Sequence, residues 1–117
     1  MTTPFVWFDL TVADGGQVAD FYRDLFGWTS APGMGGYDRW LVDGEQPWAG
    51  LTVDAERPGR WVPYVVVADL AAASKRAVEL GGRVVREERA GPAGSAVLVA
   101  DPGGAVVALF VPAGPAA

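Results

Sequence analysis

The chain has 117 residues, 50% of them apolar, 11% aromatic and 20% charged, which is material for one globular domain with a real core. Its formal charge is −5, from 14 acidic and 9 basic residues without a run of like charge. That excludes a nucleic-acid partner, which calls for a clustered basic face.

In chain order, Phe5–Val12 is rich in β-branched and aromatic residues and lies between Pro4 and Asp14-Gly15-Gly16, so it reads as a strand. Asp14 then caps a helix whose Val18, Phe21, Tyr22 and Leu25 fall on one face, and Gly27 stops it. Phe21, Tyr22, Leu25 and Phe26 are expected in the core. Trp28–Ser30, Tyr37–Val42 and Trp48–Val53 follow as short strands between Gly, Pro and Asp clusters. The order then repeats. Trp61–Val67 is a strand, and Asp69 caps a helix lined by Leu70, Ala73, Ala77 and Leu80 that ends at Gly81-Gly82. Arg83–Glu87, Ala96–Ala100 and Ala105–Val111 are the closing strands, and the last residues, Gly114–Ala117, read as a disordered tail.

This order is an internal repeat. Val12-Ala13-Asp14 returns as Val67-Ala68-Asp69, and Leu25-Phe26-Gly27 as Leu80-Gly81-Gly82. The expected fold is α+β: two βαβββ modules, about residues 4–55 and 60–112, forming a curved mixed sheet around a cavity with the helices on the outer faces. One domain then spans residues 1–117, with 113–117 as its tail. Alternation sorts the strand residues into two faces. Phe8, Leu10 and Val12 suit the helix side, which leaves Trp7, Asp9 and Thr11 on the concave side. Val62, Tyr64 and Val66 are placed on the concave side too, as are Trp48, Gly50 and Thr52, and Val106, Ala108 and Phe110. The faces of Tyr37 and Arg39 stay open.

The chain has neither Cys nor His. Disulfides, thiolate nucleophiles and a Ser-His-Asp triad are therefore excluded, and so is the commonest transition-metal ligand. Acid–base chemistry falls to Asp, Glu, Tyr and Lys75, and Lys75 is expected on the exposed side of the second helix. Asp101-Pro102-Gly103-Gly104 reads as a turn. Gly33-Met34-Gly35-Gly36 opens no helix and reads as a mobile loop at the cavity mouth, not a nucleotide site.

Phe21-Tyr22-x-x-Leu25-Phe26-Gly27-Trp28, Tyr64-Val-Val-Val-Ala-Asp69-Leu and Asp101-Pro102-x-Gly104-Ala105 resemble the glyoxalase, bleomycin-resistance and extradiol dioxygenase group, the vicinal oxygen chelate superfamily. The resemblance implies paired βαβββ modules around a U-shaped cavity, in proteins that are commonly homodimers. It also implies a divalent metal held by His and Glu side chains, one from each of four strands. Two of those positions lie seven residues before the helix-opening aspartates, and two lie seven residues after a turn aspartate. Here they are Trp7, Val62, Gly50 and Ala108, none of which coordinates a metal, so the expectation is no metal and no cofactor.

Metal-free relatives of the bleomycin-resistance type hold a cationic drug in acidic, aromatic-lined grooves. By that likeness Trp7, Asp9, Trp48, Thr52, Tyr64 and Phe110 are the candidate ligand-binding residues. Asp9 is a cation anchor or a proton acceptor, with Tyr64 as its catalytic companion. The leading expectation is a metal-independent protein that binds a small aromatic or cationic molecule. A lyase, isomerase or dioxygenase of the same superfamily is the alternative, and an interaction module is a third reading. The partners expected are a small-molecule ligand and a second copy of the chain, with no nucleic acid and no membrane. No apolar run approaches the roughly 20 residues of a membrane span, and residues 1–12 lack a signal-peptide layout, so a cytoplasmic location is expected. Arg in place of Lys, with abundant Ala, Gly and Val, points to a high-GC bacterial genome.

Overall fold

The computed structural model describes residues 3–54 and 58–114, so residues 115–117 of the expected tail lie outside the described residues. The elements are β1 (Phe5–Val12), α1 (Gly15–Phe26), β2 (Thr29–Pro32), β3 (Arg39–Asp43) and β4 (Gln46–Val53), then β5 (Arg60–Val66), α2 (Leu70–Glu79), β6 (Arg83–Gly91), β7 (Gly94–Ala100) and β8 (Val106–Pro112). This is the expected α+β order, βαβββ twice. The chain divides into two compact units, Trp7–Val62 and Met1–Val6 with Pro63–Ala117. Among the described residues no helix is long and apolar enough to cross a membrane.

In the unit Trp7–Val62 the strands lie in the order β2-β3-β4-β1. β1 runs parallel to β4, and the other neighbours are antiparallel. The parallel pair follows from α1, since a helical crossover returns the chain in the same direction. Asp14 caps α1 by accepting from the Gln17 backbone N–H at 3.1 Å. Gly27 ends it in the left-handed region at φ 78°. Leu10, Val12, Ala19, Leu41, Ala49 and Leu51 form the core beneath the helix. Phe8, Val18, Tyr22, Trp28, Trp48 and Trp61 are packed against it.

The buried stripe of α1 is narrower than its apolar residues suggest. It runs through Gly15, Val18, Ala19 and Tyr22, whereas Phe21, Leu25 and Phe26 are each 58% exposed. They are not core residues as expected. The small residues Gly15 and Ala19 bring the helix close to the sheet on one line, which turns the neighbouring large side chains outward. Gly15 makes that approach possible, because a Cβ there would collide with the Asp38 carboxylate.

The second unit repeats the design with the order β5-β8-β7-β6, β5 parallel to β8 and the rest antiparallel. Asp69 caps α2 through the Ala72 N–H at 2.9 Å. Leu70, Val97 and Val99 form the core, with Val67, Ala77, Val84, Val107, Leu109 and Val111 around them. Leu80, expected on the buried face, lies beyond the last helical turn and is 61% exposed. Asp101 accepts from the N–H groups of Gly103 and Ala105, which makes 101–105 the expected turn.

Gly27→Ala tests the helix stop in isolation, since a Cβ there meets nothing within 4 Å. The expected cost is about 1–2 kcal/mol, all of it from the left-handed backbone. Urea unfolding reads it as a lower midpoint at unchanged slope.

Candidate functional site

On the sheet face of Trp7–Val62 opposite α1, Trp7 and Asp9 stand two residues apart on β1 and so share a side. The Trp7 indole Nε1–H donates to Asp9 Oδ1 at 2.7 Å. The Tyr37 hydroxyl donates to the same oxygen at 2.8 Å. The two rings meet edge to face, centroids 6.0 Å apart. All three side chains are half-buried. The result is an aromatic corner around one carboxylate, built from hydrogen bonds to an ionised acceptor, which are shorter and stronger than neutral ones.

Tyr37 reaches Asp9 because of Gly50. Asp9 pairs with Gly50 across the β1–β4 ladder, and a Cβ on Gly50 would run into the Tyr37 ring. Tyr37 is not part of β3, which begins at Arg39, but hangs from the turn before it. Its face was therefore not readable from alternation. Arg39 goes the other way. It pairs with Leu51, a core residue, and donates to Ser30 Oγ at 3.0 and 3.2 Å on the helix side.

Trp48 is not in this corner, contrary to expectation. The β3–β4 register passes from Leu41↔Ala49 to Val42↔Pro47, so Trp48 is the extra residue of a bulge. A bulge places its two residues on the same side of the strand as the one they oppose. Trp48 therefore joins Ala49 and Leu41 on the helix face. There it stands edge-on to Trp28 at 4.9 Å and stacks on Trp61 at 6.4 Å with 9° between planes. It also lines an open cleft of about 580 Å³ with Trp28, Thr29 and Val42. The Trp61 indole in turn donates to the Tyr22 hydroxyl at 3.2 Å, so this aromatic group ties β4 and β5 to α1.

Thr52 does lie on the Asp9 side. It is half-buried and pairs with Thr11, whose hydroxyl donates to the Arg60 carbonyl at 3.2 Å. Two residues were missed by the sequence reading. Trp40 pairs with Gly50 and shares the Asp9 face. Arg60 precedes the helix-facing Trp61, so alternation turns it to the Asp9 side; its Nε is buried with no hydrogen-bond partner among the described residues. The alternation Trp40-Leu41 and Arg60-Trp61-Val62 was the signal that would have found them.

Tyr64 and Phe110 belong to the other unit. Tyr64 pairs with Ala108, and its ring stands edge-on to Phe110 at 5.6 Å. They share the face opposite α2, since Val107 and Leu109 point to the helix-side core.

The four family metal positions do not fit a metal. The Trp7 indole N–H only donates and is spent on Asp9; Gly50 has no side chain; Val62 and Ala108 are buried aliphatic groups. Among the described residues, no three or more His, Cys, Asp or Glu side chains gather closely enough to hold an ion.

Comparison with known proteins agrees with this architecture. The glyoxalase-like domain matches residues 6–110. The chain belongs to that family. Within it, the chain is 32% identical over 124 residues to the anthracycline biosynthesis protein DnrV of Streptomyces peucetius, covering 89% of this chain and 45% of that one. It is also 32% identical over 117 residues to the putative glyoxylase CFP32 of Mycobacterium tuberculosis, covering 89% and 44%. The chain thus spans less than half the length of these relatives. Among solved structures, methylmalonyl-CoA epimerase from M. tuberculosis superimposes with a TM-score of 0.59 at 21% identity, over 97% of this chain and 94% of that one. That likeness is one of fold.

The Gly50–Tyr37 contact makes a sharp expectation. Gly50→Ala should cost about 1–3 kcal/mol, because the added methyl displaces the Tyr37 ring from Asp9. In a Tyr37→Ala background the same change should cost far less. A double-mutant cycle by urea unfolding checks this, and zero coupling would contradict the geometry.

Proposed function

We propose that this glyoxalase-like domain is a metal-independent binding protein for a small planar aromatic compound carrying a basic nitrogen. The observation behind this reading is the Trp7–Asp9–Tyr37 corner, standing where a metal-binding relative would present ligands. A carboxylate edged by two aromatic rings attracts an organic cation by charge and by the ring quadrupoles together. Thr52 adds a half-buried hydroxyl along the same face. The relative named for anthracycline biosynthesis supports a polycyclic aromatic compound as the class to test first.

The probes are an anthracycline bearing an amino sugar and its neutral aglycone, titrated against Trp fluorescence. The amine form should bind, with affinity unchanged by a chelator. Asp9→Asn should weaken it about tenfold, in line with about 1.4 kcal/mol for one charged contact, while the aglycone is affected much less. Equal affinity of both forms for wild type and Asp9→Asn would overturn the reading.

The relative named a putative glyoxylase favours a second reading, an enzyme of the same superfamily acting on a small molecule. The donor set leaves no route through a metal, so the proton acceptor would be Asp9 with Tyr37 beside it as donor. This reading requires turnover by chelator-treated protein that Asp9→Asn abolishes while the fold, read by circular dichroism, is retained. A substrate screen in which activity appears only with added metal would exclude this form of it.

A further inference from the structure

We infer that a groove beside α1, on the helix side of the sheet, is a separate site for a neutral fused-ring compound that carries a hydrogen-bond acceptor such as a ketone. α1 packs over β2, β3 and β4, and the groove runs along its flank over β1. It opens to solvent and has a volume of about 610 Å³, a usual size for a small-molecule site. Leu10 and Val12 of β1, both buried, close its floor. Phe21 and Tyr22 of α1 stand on one side, and Pro58 and Trp61 on the other. The second side is tied to β1 by two bonds. The Gly59 N–H donates to the Thr11 carbonyl at 2.7 Å, and the Thr11 hydroxyl donates to the Arg60 carbonyl at 3.2 Å. All of these residues belong to the unit Trp7–Val62.

The lining sets the chemistry of the occupant. The described residues around the groove include no Asp, Glu, Lys or Arg, in a chain where 20% of residues are charged. An ion placed there would lose water and gain no countercharge, so the groove selects a neutral molecule. Phe21 stands 58% exposed at the mouth, its ring edge-on to Tyr22 at 5.2 Å. Tyr22 is edge-on in turn to Trp61 at 5.8 Å. Three rings thus border the groove, and a flat aromatic compound that meets them takes the Phe21 surface out of water.

One polar group is left over in this apolar lining. The Trp61 indole N–H donates to the Tyr22 hydroxyl at 3.2 Å, which uses the oxygen as an acceptor. A phenol also has a proton to donate, and among the described residues nothing accepts it. A ligand carbonyl completes that bond inside the groove. Leu10 and Val12 alternate with Asp9 along β1, so the groove lies on the opposite face of the sheet. This inference therefore stands or fails independently of the reading at Asp9.

The test titrates the full chain with 2-acetonaphthone, naphthalene and 2-naphthoate, following amide and indole N–H shifts by NMR. The ketone should bind and shift the amides of α1 and the Trp61 indole. Naphthoate, the same ring system with a charge, should bind at least about tenfold more weakly. Phe21→Ala should weaken the ketone and naphthalene alike. Tyr22→Phe should weaken the ketone about three- to tenfold, the worth of one net hydrogen bond, and leave naphthalene unchanged. Leu25→Ala removes an equally exposed apolar side chain of α1 that does not line the groove, and should change neither. Phe21→Ala, at an exposed position, keeps the proposal testable if Tyr22→Phe fails to fold. Naphthoate binding as tightly as the ketone, full affinity in Phe21→Ala, or an equal loss of ketone and naphthalene in Tyr22→Phe would each overturn the proposal. So would the same α1 shifts on concentrating the protein without a probe, since a second copy would then fill the groove.

Discussion

The Asp9 carboxylate is the constraint around which the face opposite α1 is organised. It takes two donors on one oxygen, the Trp7 indole from its own strand and the Tyr37 hydroxyl from a turn. The first is local, between residues two apart on β1, and the second reaches across 28 residues. Tyr37 lies over the sheet only because Gly50, the cross-strand partner of Asp9, has no side chain in the way. Of the three positions in this unit where the superfamily would present metal ligands, Trp7 donates to Asp9, Gly50 leaves the room that the Tyr37 ring fills, and Val62 is a buried aliphatic side chain. The loss of donors is more than an absence, since the space and bonding capacity at Trp7 and Gly50 have been taken over by aromatic rings and a carboxylate.

The other face of the same strands carries a second aromatic group with a different task. Tyr22, Trp28, Trp48 and Trp61 contact one another at centroid distances of 4.9–6.4 Å. They pack against the core formed by Leu10, Val12, Leu41 and Leu51. Aromatic pairs of this kind add about 0.5–1.5 kcal/mol each beyond their buried area. This group holds helix to sheet through the Trp61–Tyr22 hydrogen bond, and Trp48 and Trp61 each meet Phe8 of β1 edge-on at 6.4 Å.

Much of this was legible in the sequence, and the reasons differ by element. The helix caps were readable because Asp14, Asp69 and Gly27 act on their immediate neighbours. The facing of Trp7, Asp9, Tyr64 and Phe110 was readable because β1, β5 and β8 are regular strands with strict alternation. Trp48 was misplaced because one inserted residue reverses the facing, and nothing in Gln46–Val53 marks the insertion. Phe21, Leu25 and Phe26 look like core on a helical wheel, yet the closest approach of α1 to the sheet follows its small residues. Tyr37 was undecidable, since a side chain in a turn has no period to follow, and its position depends on a glycine 13 residues later across the sheet.

The central claim is that the family's metal positions hold no ion here, with Trp7 and Gly50 framing an aromatic and carboxylate corner and Val62 and Ala108 buried as aliphatic groups. Native mass spectrometry of the purified protein, before and after adding nickel, zinc and manganese, tests it most directly. The account predicts a chain mass free of stoichiometric metal under all conditions. One ion retained per chain, and lost in Asp9→Asn, would contradict it.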